Sequence, residues 1–326
     1  MVARMSERRV VVVGFEGAEL LDIACVTSSF DGANLSGADP AYAVTLATPG
    51  GSDVACGSGL TLRAGGALER VRGPLDTLVV SGGFGHERAA ADPRVTGHVR
   101  RLARESRRVA SVCTGATVLA AAGLLDGRRA TTHWGWAGQL AADYPKVRVD
   151  PDPIYVRDGD VSTAAGVTSA LDLTLAFVEE DHGTALARRV ARGLVTYLQR
   201  PGNQAQMSMF TRAPAPGDGL VRRAVDLVTG GLAGELTVAG LAAAVDVSER
   251  HLTRLFLDEL GQTPGRFIRQ ARTEAAAHLL ASTRLPVTGV AARCGFGSAE
   301  TLRQAFVARY GVPPSRYRAT AQRAPG

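Results

Sequence analysis

Apolar runs of strand length alternate with helical stretches along the first part of the chain. Residues 9–14 (RVVVVG) form a continuous β-branched run without polar alternation, which is typical of a buried strand in a parallel sheet. Similar runs recur at 43–47, 77–80, 109–113 and 161–163, and helical patterns lie between them at 95–105 and 116–122. The alternation over about 190 residues predicts a doubly wound α/β domain at 8–199.

A Gly-, Pro- and Gln-rich segment follows this domain. Residues 200–219 (RPGNQAQMSMFTRAPAPGDG) have the composition of a linker. From Leu220 onward the pattern is helical and contains no strand-like run, so an all-α domain is predicted at 220–320. The chain is therefore expected to contain two domains of different class.

The helical domain contains an internal repeat. Residues 238–256 (VAGLAAAVDVSERHLTRLF) recur as 287–306 (VTGVAARCGFGSAETLRQAF), and each copy predicts a short helix, a turn and a second helix. Ser248 and Ser298 are placed to cap the second helix of each copy. Helical spacing directs one set of polar side chains outward from these second helices: Arg250, Thr253 and Arg254 in the first copy, and Glu300, Arg303 and Gln304 in the second.

Between the copies, Thr263 and Pro264 form a helix-start signal. A helix from there to about Leu280 is roughly 24 Å long at 1.5 Å per residue. Such a spacer suits two recognition helices in successive major grooves, which lie roughly 34 Å apart.

The net charge is concentrated in the helical domain. Residues 215–326 carry 14 arginines against nine acidic residues, a net charge of +5 out of +6 for the whole chain. This distribution indicates a double-stranded DNA partner. No apolar run is long enough to span a bilayer and no signal peptide is evident, so a cytoplasmic location without a membrane partner is expected. The four cysteines are scattered without metal-ligand spacing, and neither a metal nor a cofactor is predicted.

Residues 220–320 resemble the DNA-binding domain of AraC-type regulators. Three stretches match that family's pattern: GQTPGRF at 261–267, CGFGSAETLRQAF at 294–306 and YGVPPSRYR at 310–318. The resemblance implies that these outward-facing residues, together with Thr301, contact the bases or phosphates of an operator. Glu300 is expected to accept a hydrogen bond from a cytosine amino group or to face solvent.

The candidate chemistry of the first domain centres on Cys113. The strand at 109–113 runs directly into Thr114 and a helix, and a cysteine at a helix N-terminus is expected to favour its thiolate. The turn at 79–85 (VVSGGFG) offers backbone donors for an oxyanion. His133 and Asp22 supply a base and a carboxylate. From the residues alone, a buried packing cysteine is the alternative.

Residues 8–185 resemble the DJ-1/PfpI superfamily, which has a flavodoxin-like fold of the class I glutamine-amidotransferase type. The matching motifs are GAELLD, the Gly-Gly turn, CTGA and TTHW. The resemblance implies catalytic roles for Cys113, Asp22 and His133, and ligand or oxyanion contacts for Gly83 and Thr114. The protease-like branch has His directly after the nucleophile, so Thr114 speaks against peptidase activity. The domain order is similar to that of GlxA-type regulators.

These observations predict a homodimeric transcriptional regulator whose first domain senses an unknown small-molecule effector or an oxidant. One alternative is an isonitrile-hydratase-like or amidase-like cysteine enzyme with a DNA-binding tail. Another is a redox or carbonyl-stress sensor without turnover. The charge distribution and the repeated helix-turn-helix favour regulation, because a plain enzyme needs neither.

Overall fold

A computed structural model describes residues 7–196, 200, 202, 206, 219–234 and 236–322. The chain divides into two compact units, the first ending at Gln206 and the second beginning at Met207. Most of the sequence-predicted linker, at 207–218, lies outside the described residues. Arg200, Gly202 and Gln206, which the prediction placed in that linker, contact the first unit instead.

The first unit is built on a seven-stranded sheet. Two small sheets, β3-β4 and β8-β9, accompany it. The strands are β1 (Glu7–Val13), β2 (Ala41–Thr48), β3 (Val54–Ala55), β4 (Thr61–Leu62), β5 (Gly66–Ala67), β6 (Leu75–Val80), β7 (Ser106–Val112), β8 (Arg129–Ala130), β9 (Arg148–Val149), β10 (Tyr155–Asp158) and β11 (Val161–Ala164). The main sheet has the order β10-β11-β7-β6-β1-β2-β5 and is parallel except at β10. The predicted α/β class and its five core strands are confirmed.

The helices of this unit form two groups. In one group α1 (Leu20–Leu35), α6 (Thr168–His182) and α7 (Thr184–Gly193) contact one another, and in the other α2 (His86–Ala91), α3 (Pro93–Ala103) and α4 (Gly115–Ala121) do so. Helix α5 (Ala137–Asp143) follows the TTHW motif. The start of α3 shows the local code, because Asp92 accepts a hydrogen bond from the Arg94 amide and Pro93 occupies the first turn. Each group buries apolar side chains against the central strands.

The second unit is helical in its described residues. Its helices are α8 (Gly219–Gly230), α9 (Val238–Ala244), α10 (Glu249–Leu260), α11 (Pro264–Ser282), α12 (Val287–Arg293), α13 (Ala299–Tyr310) and α14 (Pro314–Gln322). Ser248 and Ser298 cap α10 and α13 as predicted, and Thr263 caps the long spacer helix α11. The double helix-turn-helix is therefore confirmed. In the described part of the chain, no helix is both long enough and apolar enough to cross a membrane.

Candidate functional sites

Cys113 lies at a strained turn between β7 and α4. Its φ of 55° places a non-glycine residue in the left-handed region, which L-residues avoid. The Cys113 amide donates to the carbonyl of Ala164 at 2.9 Å, and its carbonyl accepts from the Thr132 hydroxyl at 2.8 Å. A Cβ atom at Gly82 or Gly166 would lie within 3 Å of the Cys113 side chain. The predicted elbow therefore forms, in a space that only glycines leave open.

Asp22 is brought to the same place by α1. Its carboxylate is 1% exposed and accepts hydrogen bonds from the amides of Gly82 at 3.1 Å and Val167 at 2.8 Å. Val167 has a φ of 44°, so a second strained backbone position holds this carboxylate. A Cβ added at Gly82 would collide with Cys113 and would also lie 2.7 Å from Asp22 Oδ2. Cys113 and Asp22 thus lie together in one buried cluster, closed off beside Gly82.

The electrostatics of this buried site oppose one expectation from the sequence, the thiolate at Cys113. Burial raises the pKa of Asp22 to about 6, although the amides of Val167 and Gly82 favour its charged form. Burial, followed by the charge of Asp22, raises the pKa of the Cys113 thiol to about 12. The amide and hydroxyl of Thr114 at the start of the helix lower the pKa of Cys113, as the sequence suggests, but burial and Asp22 raise it by more, so thiolate formation at Cys113 stays a prediction. The loss of solvation outweighs the dipole of a seven-residue helix.

The expected oxyanion donors are engaged within the protein. The Gly83 amide donates to the Thr114 hydroxyl at 2.9 Å, and that hydroxyl donates back to the Gly83 carbonyl at 2.9 Å. The Gly82 amide is bonded to Asp22. An oxyanion role for Gly83 or Thr114 stays a prediction, and it requires this reciprocal pair to open.

His133 does not join Cys113 and Asp22 in a hydrogen-bonded relay. Its Nδ1 accepts from the Gly135 amide at 3.2 Å, and its ring lies 5.4 Å from that of Trp134, centroid to centroid. Burial lowers its pKa, which favours the neutral imidazole. Within the described residues, no hydrogen bond connects His133 to the other two side chains. The role of His133 as a base stays a prediction.

Two residues that the sequence assigned to the linker contact the first unit, one of them at the TTHW motif at 131–134. The Gln206 side chain donates to the carbonyls of Thr132 at 2.8 Å and Pro151 at 2.9 Å, and accepts from the Trp134 amide at 2.9 Å. Arg200 anchors the other end, donating through its amide at 2.7 Å and its guanidinium at 2.9 Å to the buried carboxylate of Asp172. We call the three described residues Arg200, Gly202 and Gln206 the strap. A linker-like composition gave no local signal for these contacts.

A separate cavity of about 380 Å³ opens on the first unit near the ends of β1 and β2. Phe15, Val54 and Ala89 form apolar parts of its lining, and Glu16 and Arg88 contribute charged groups. It reaches the turn after β6 at Gly85 but is not lined by Cys113. The sequence patterns did not indicate this cavity, because its lining comes from three separate chain segments.

The recognition helices α10 and α13 present their predicted residues outward. Arg250, Arg254, Thr301 and Gln304 are exposed, while Leu252, Phe256, Leu302 and Phe306 are buried beneath them. Thr253 is half-buried. On α13, Arg303 forms a two-bond ion pair with Glu300, with both distances 2.7 Å, and Gln304 donates to the same carboxylate at 3.1 Å. Glu300 therefore neutralises part of this surface.

Comparisons with known proteins agree with this arrangement. Residues 8–180 match the DJ-1/PfpI family, and residues 241–320 match a helix-turn-helix domain. The HTH-type transcriptional regulator CdhR of Pseudomonas aeruginosa is 34% identical over 274 residues, covering 82% of this chain and 79% of that protein. The HTH-type transcriptional regulator GlxA of Rhizobium meliloti is 30% identical over 326 residues, covering 98% of each.

Two further matches are an enzyme sequence and a solved structure. Isonitrile hydratase of Pseudomonas putida is 40% identical over 119 residues, covering 36% of this chain and 50% of that enzyme. A THiJ/PfpI family protein from Pseudomonas syringae superposes with a TM-score of 0.55 at 24% identity, covering 73% of this chain and 90% of that one, which supports the fold. The strained cysteine elbow on a parallel sheet and the two capped helix-turn-helix repeats thus identify the chain as a member of the DJ-1/PfpI family and a GlxA-like transcriptional regulator with an AraC-type DNA-binding domain.

Proposed function

We propose that the first domain of this DNA-binding regulator receives a small-molecule signal at the buried Cys113 site and transmits it through the strap. The observation that carries the proposal is a short chain of hydrogen bonds. The Thr132 hydroxyl donates to the Cys113 carbonyl, and the Thr132 carbonyl accepts from Gln206. The second unit begins at the next residue, Met207. A shift at the elbow therefore acts on Gln206, the last residue of the first unit before the second begins.

The buried Cys113 site favours a bound effector over an oxidant as the signal. Oxidation requires the thiolate, and burial together with Asp22 raises the pKa of Cys113 to about 12. A ligand that binds beside Cys113 and neutralises or displaces Asp22 would remove the part of the Cys113 pKa rise that the Asp22 charge causes. Peroxide sensing by the unliganded protein is accordingly expected to be slow.

The alternative is a cysteine enzyme, which the match to isonitrile hydratase over 119 residues favours. Two features argue for sensing instead. His133 is not hydrogen-bonded to Cys113 or Asp22, and the Gly83 amide is bonded to Thr114. A relay and a free oxyanion donor are the usual requirements of acyl-transfer chemistry at an elbow. We therefore infer that the domain binds its ligand without turnover.

Alkylation of Cys113 tests the transmission path without knowledge of the natural effector. An operator is first selected from random duplexes with the full-length protein. The protein is then modified with N-ethylmaleimide at mildly alkaline pH, and operator affinity is measured by gel shift. We expect modification at Cys113 to change affinity about 5- to 150-fold, the usual range of allosteric coupling. In Gln206→Ala the same modification is expected to leave operator affinity unchanged.

Two controls accompany this measurement. Cys113→Ser shows the effect of modifying the other cysteines, and Gln139→Ala removes an exposed glutamine that donates to Glu87 at the surface of the first unit. Unchanged operator affinity after complete modification of Cys113 would refute the signal site. A full response in Gln206→Ala would refute the strap as the path. Consumption of an isonitrile by the wild type but not by Cys113→Ser would establish the enzyme alternative.

We also infer that Arg250, Thr253, Arg254, Thr301, Arg303 and Gln304 contact the operator. Their placement on the two recognition helices supports this role. A homodimer through the first domain is inferred as well. Its support is two strongly exposed apolar side chains of the first unit: Phe84, 81% exposed, lies beside Gly57, and Leu60, 58% exposed, follows the turn that Gly57 begins.

A further inference from the structure

The two helix-turn-helix subdomains of the second unit have separate hydrophobic cores. The first subdomain, α8–α10, packs on the N-terminal half of α11 through residues such as Phe267 and Ala271. The second, α12–α14, packs on the C-terminal half through Ala276 and Leu280. The angle between the two recognition helices therefore depends on what joins these cores beside α11.

A cavity lies where the subdomains approach each other. It measures about 300 Å³ and is lined by Thr237 and Val238 of the first subdomain and by Phe296 and Thr301 of the second, with Arg269 and Arg272 on α11. Close packing fixes the relation of two elements, and an open space of this size does not. Directed contacts at the edge of the cavity must supply the constraint.

Arg272 makes these contacts. From the middle of α11, its Nε donates to the carbonyl of Leu232 at 3.1 Å and its Nη2 donates to the carbonyl of Gly234 at 2.7 Å. Both carbonyls belong to the loop that follows α8 in the first subdomain. A planar guanidinium that binds two carbonyls fixes direction as well as distance.

Gly295 brings the second subdomain against the same point. It occupies the turn between α12 and α13 with a φ of 73°, and a Cβ there would lie 2.3 Å from the Leu232 carbonyl oxygen and 2.7 Å from the Arg272 guanidinium carbon. Asp246 occupies the equivalent turn of the first copy with a φ of 59°. The turn itself thus accepts a side chain, and the close approach of Leu232 is what requires glycine at 295.

We propose that Arg272 is a positioning residue that sets the spacing and rotation between α10 and α13, and thereby the operator spacing that the protein accepts. The proposal rests on the DNA-binding function established above. One inserted base pair moves the second contacted groove by about 3.4 Å and roughly 35° around the duplex. A rigid junction at Leu232, Arg272 and Gly295 weakens binding to an operator with altered spacing, because both recognition helices cannot reach their grooves together. A flexible junction lets the helices adjust, so affinity falls less.

The test compares operators that differ in spacing. The full-length protein selects its operator from random duplexes, and one base pair is then inserted or deleted between the segments contacted by α10 and α13. We expect the wild type to discriminate against the altered spacings by about tenfold or more, equivalent to about 1.4 kcal/mol. Arg272→Met is expected to reduce this discrimination to about threefold or less.

Matched variants separate positioning from general destabilisation. Arg269→Met removes a nearby arginine of α11 whose side chain makes no hydrogen bond or ion pair in the described part of the chain, and should leave spacing discrimination intact. Gly295→Ala should relax discrimination, whereas Asp246→Ala changes the equivalent turn and should not. If thermal melting shows that Arg272→Met does not fold, Arg272→Lys carries the test. Wild-type discrimination in the folded variant, or an equal loss of affinity at every spacing, overturns the proposal.

Discussion

The carboxylate of Asp22 accepts a hydrogen bond from the backbone amide of Val167 at 2.8 Å, across 145 positions of the chain. This bond ties α1 to the strained loop before α6, directly beside Cys113. The carboxylate is buried, and its pKa is raised to about 6 despite the bond. Its ionisation therefore affects both the stability of the first unit and the state of the thiol.

Asp22→Asn is expected to flatten the pH dependence of stability. Because the native state holds the Asp22 proton more tightly than the unfolded chain, whose aspartate pKa is near 3.8, this group favours folding at low pH. That contribution, roughly 3 kcal/mol, is lost as the pH rises from about 4 through about 6. Urea unfolding followed by tryptophan fluorescence measures it, because both tryptophans, Trp134 and Trp136, lie in the first unit.

The matched control for this measurement is Asp31→Asn on the exposed side of the same helix. It should retain the wild-type slope of unfolding free energy against pH. An equal slope in Asp22→Asn and the wild type would contradict the assignment of a raised pKa to Asp22.

Cys113 is expected to react slowly with iodoacetamide at neutral pH. A rise of its pKa from 9.0 to about 12 reduces the thiolate fraction about a thousandfold. Cys25 is only half-buried and should be modified ahead of it. Peptide mass spectrometry after timed labelling of the native protein gives the order.

Removing the neighbouring charge should reverse part of this protection. In Asp22→Asn, the rate of Cys113 labelling is expected to rise while that of the buried Cys294 stays the same. Labelling of Cys113 before Cys25 in the wild type would show that the buried site opens in solution or stabilises the thiolate.

Arg250→Ala and Arg254→Ala should each weaken binding to a selected operator by about 1–3 kcal/mol if the side chain contacts a guanine. Both guanidinium groups are exposed on α10, so folding should be unaffected. Fluorescence anisotropy at several salt concentrations distinguishes the two kinds of contact. Loss of a phosphate contact reduces the slope of log affinity against log salt concentration by about one, whereas loss of a base contact does not. Arg104→Ala, an exposed arginine of the first unit, is the control. Wild-type affinity in both α10 variants would exclude this helix from the interface.

Glu300→Ala should increase affinity for non-specific DNA. The substitution frees Arg303 and Gln304 from a shared acidic partner and removes a negative charge from α13. Competition between the selected operator and unrelated duplex should therefore show lower specificity with tighter background binding. Unchanged competition would indicate that this ion pair already opens when the protein binds DNA.

Light scattering should give twice the 34.0 kDa mass of one chain. Phe84→Glu is expected to shift the protein toward monomer, because it replaces one of the two strongly exposed apolar side chains with a charge. Leu257→Glu changes an exposed leucine of the second unit and serves as the control. A mass of one chain at every concentration would refute the dimer, and a stable Phe84→Glu dimer would place its interface elsewhere.

Local patterns were sufficient for the architecture of this protein. Continuous β-branched runs such as 9–14 predicted the buried strands, because a strand covered on both faces needs no polar side chains. The caps at Ser248 and Ser298 predicted the starts of the recognition helices, since capping depends on residues three positions apart. The cysteine elbow and the outward-facing polar residues of the two recognition helices followed from the same kind of short-range information.

Only the tertiary structure decided the environment of Cys113 and the long-range contacts of Gln206 and Arg272. The raised pKa of Cys113 depends on how far water is excluded and on a carboxylate 91 positions earlier in the chain, and neither is visible at the CTGA motif. Gln206 contacts Thr132, and Arg272 contacts Leu232 and Gly234, only because the fold brings their carbonyls within hydrogen-bonding distance. Such contacts depend on three-dimensional placement, and residue order within a segment carries no record of them.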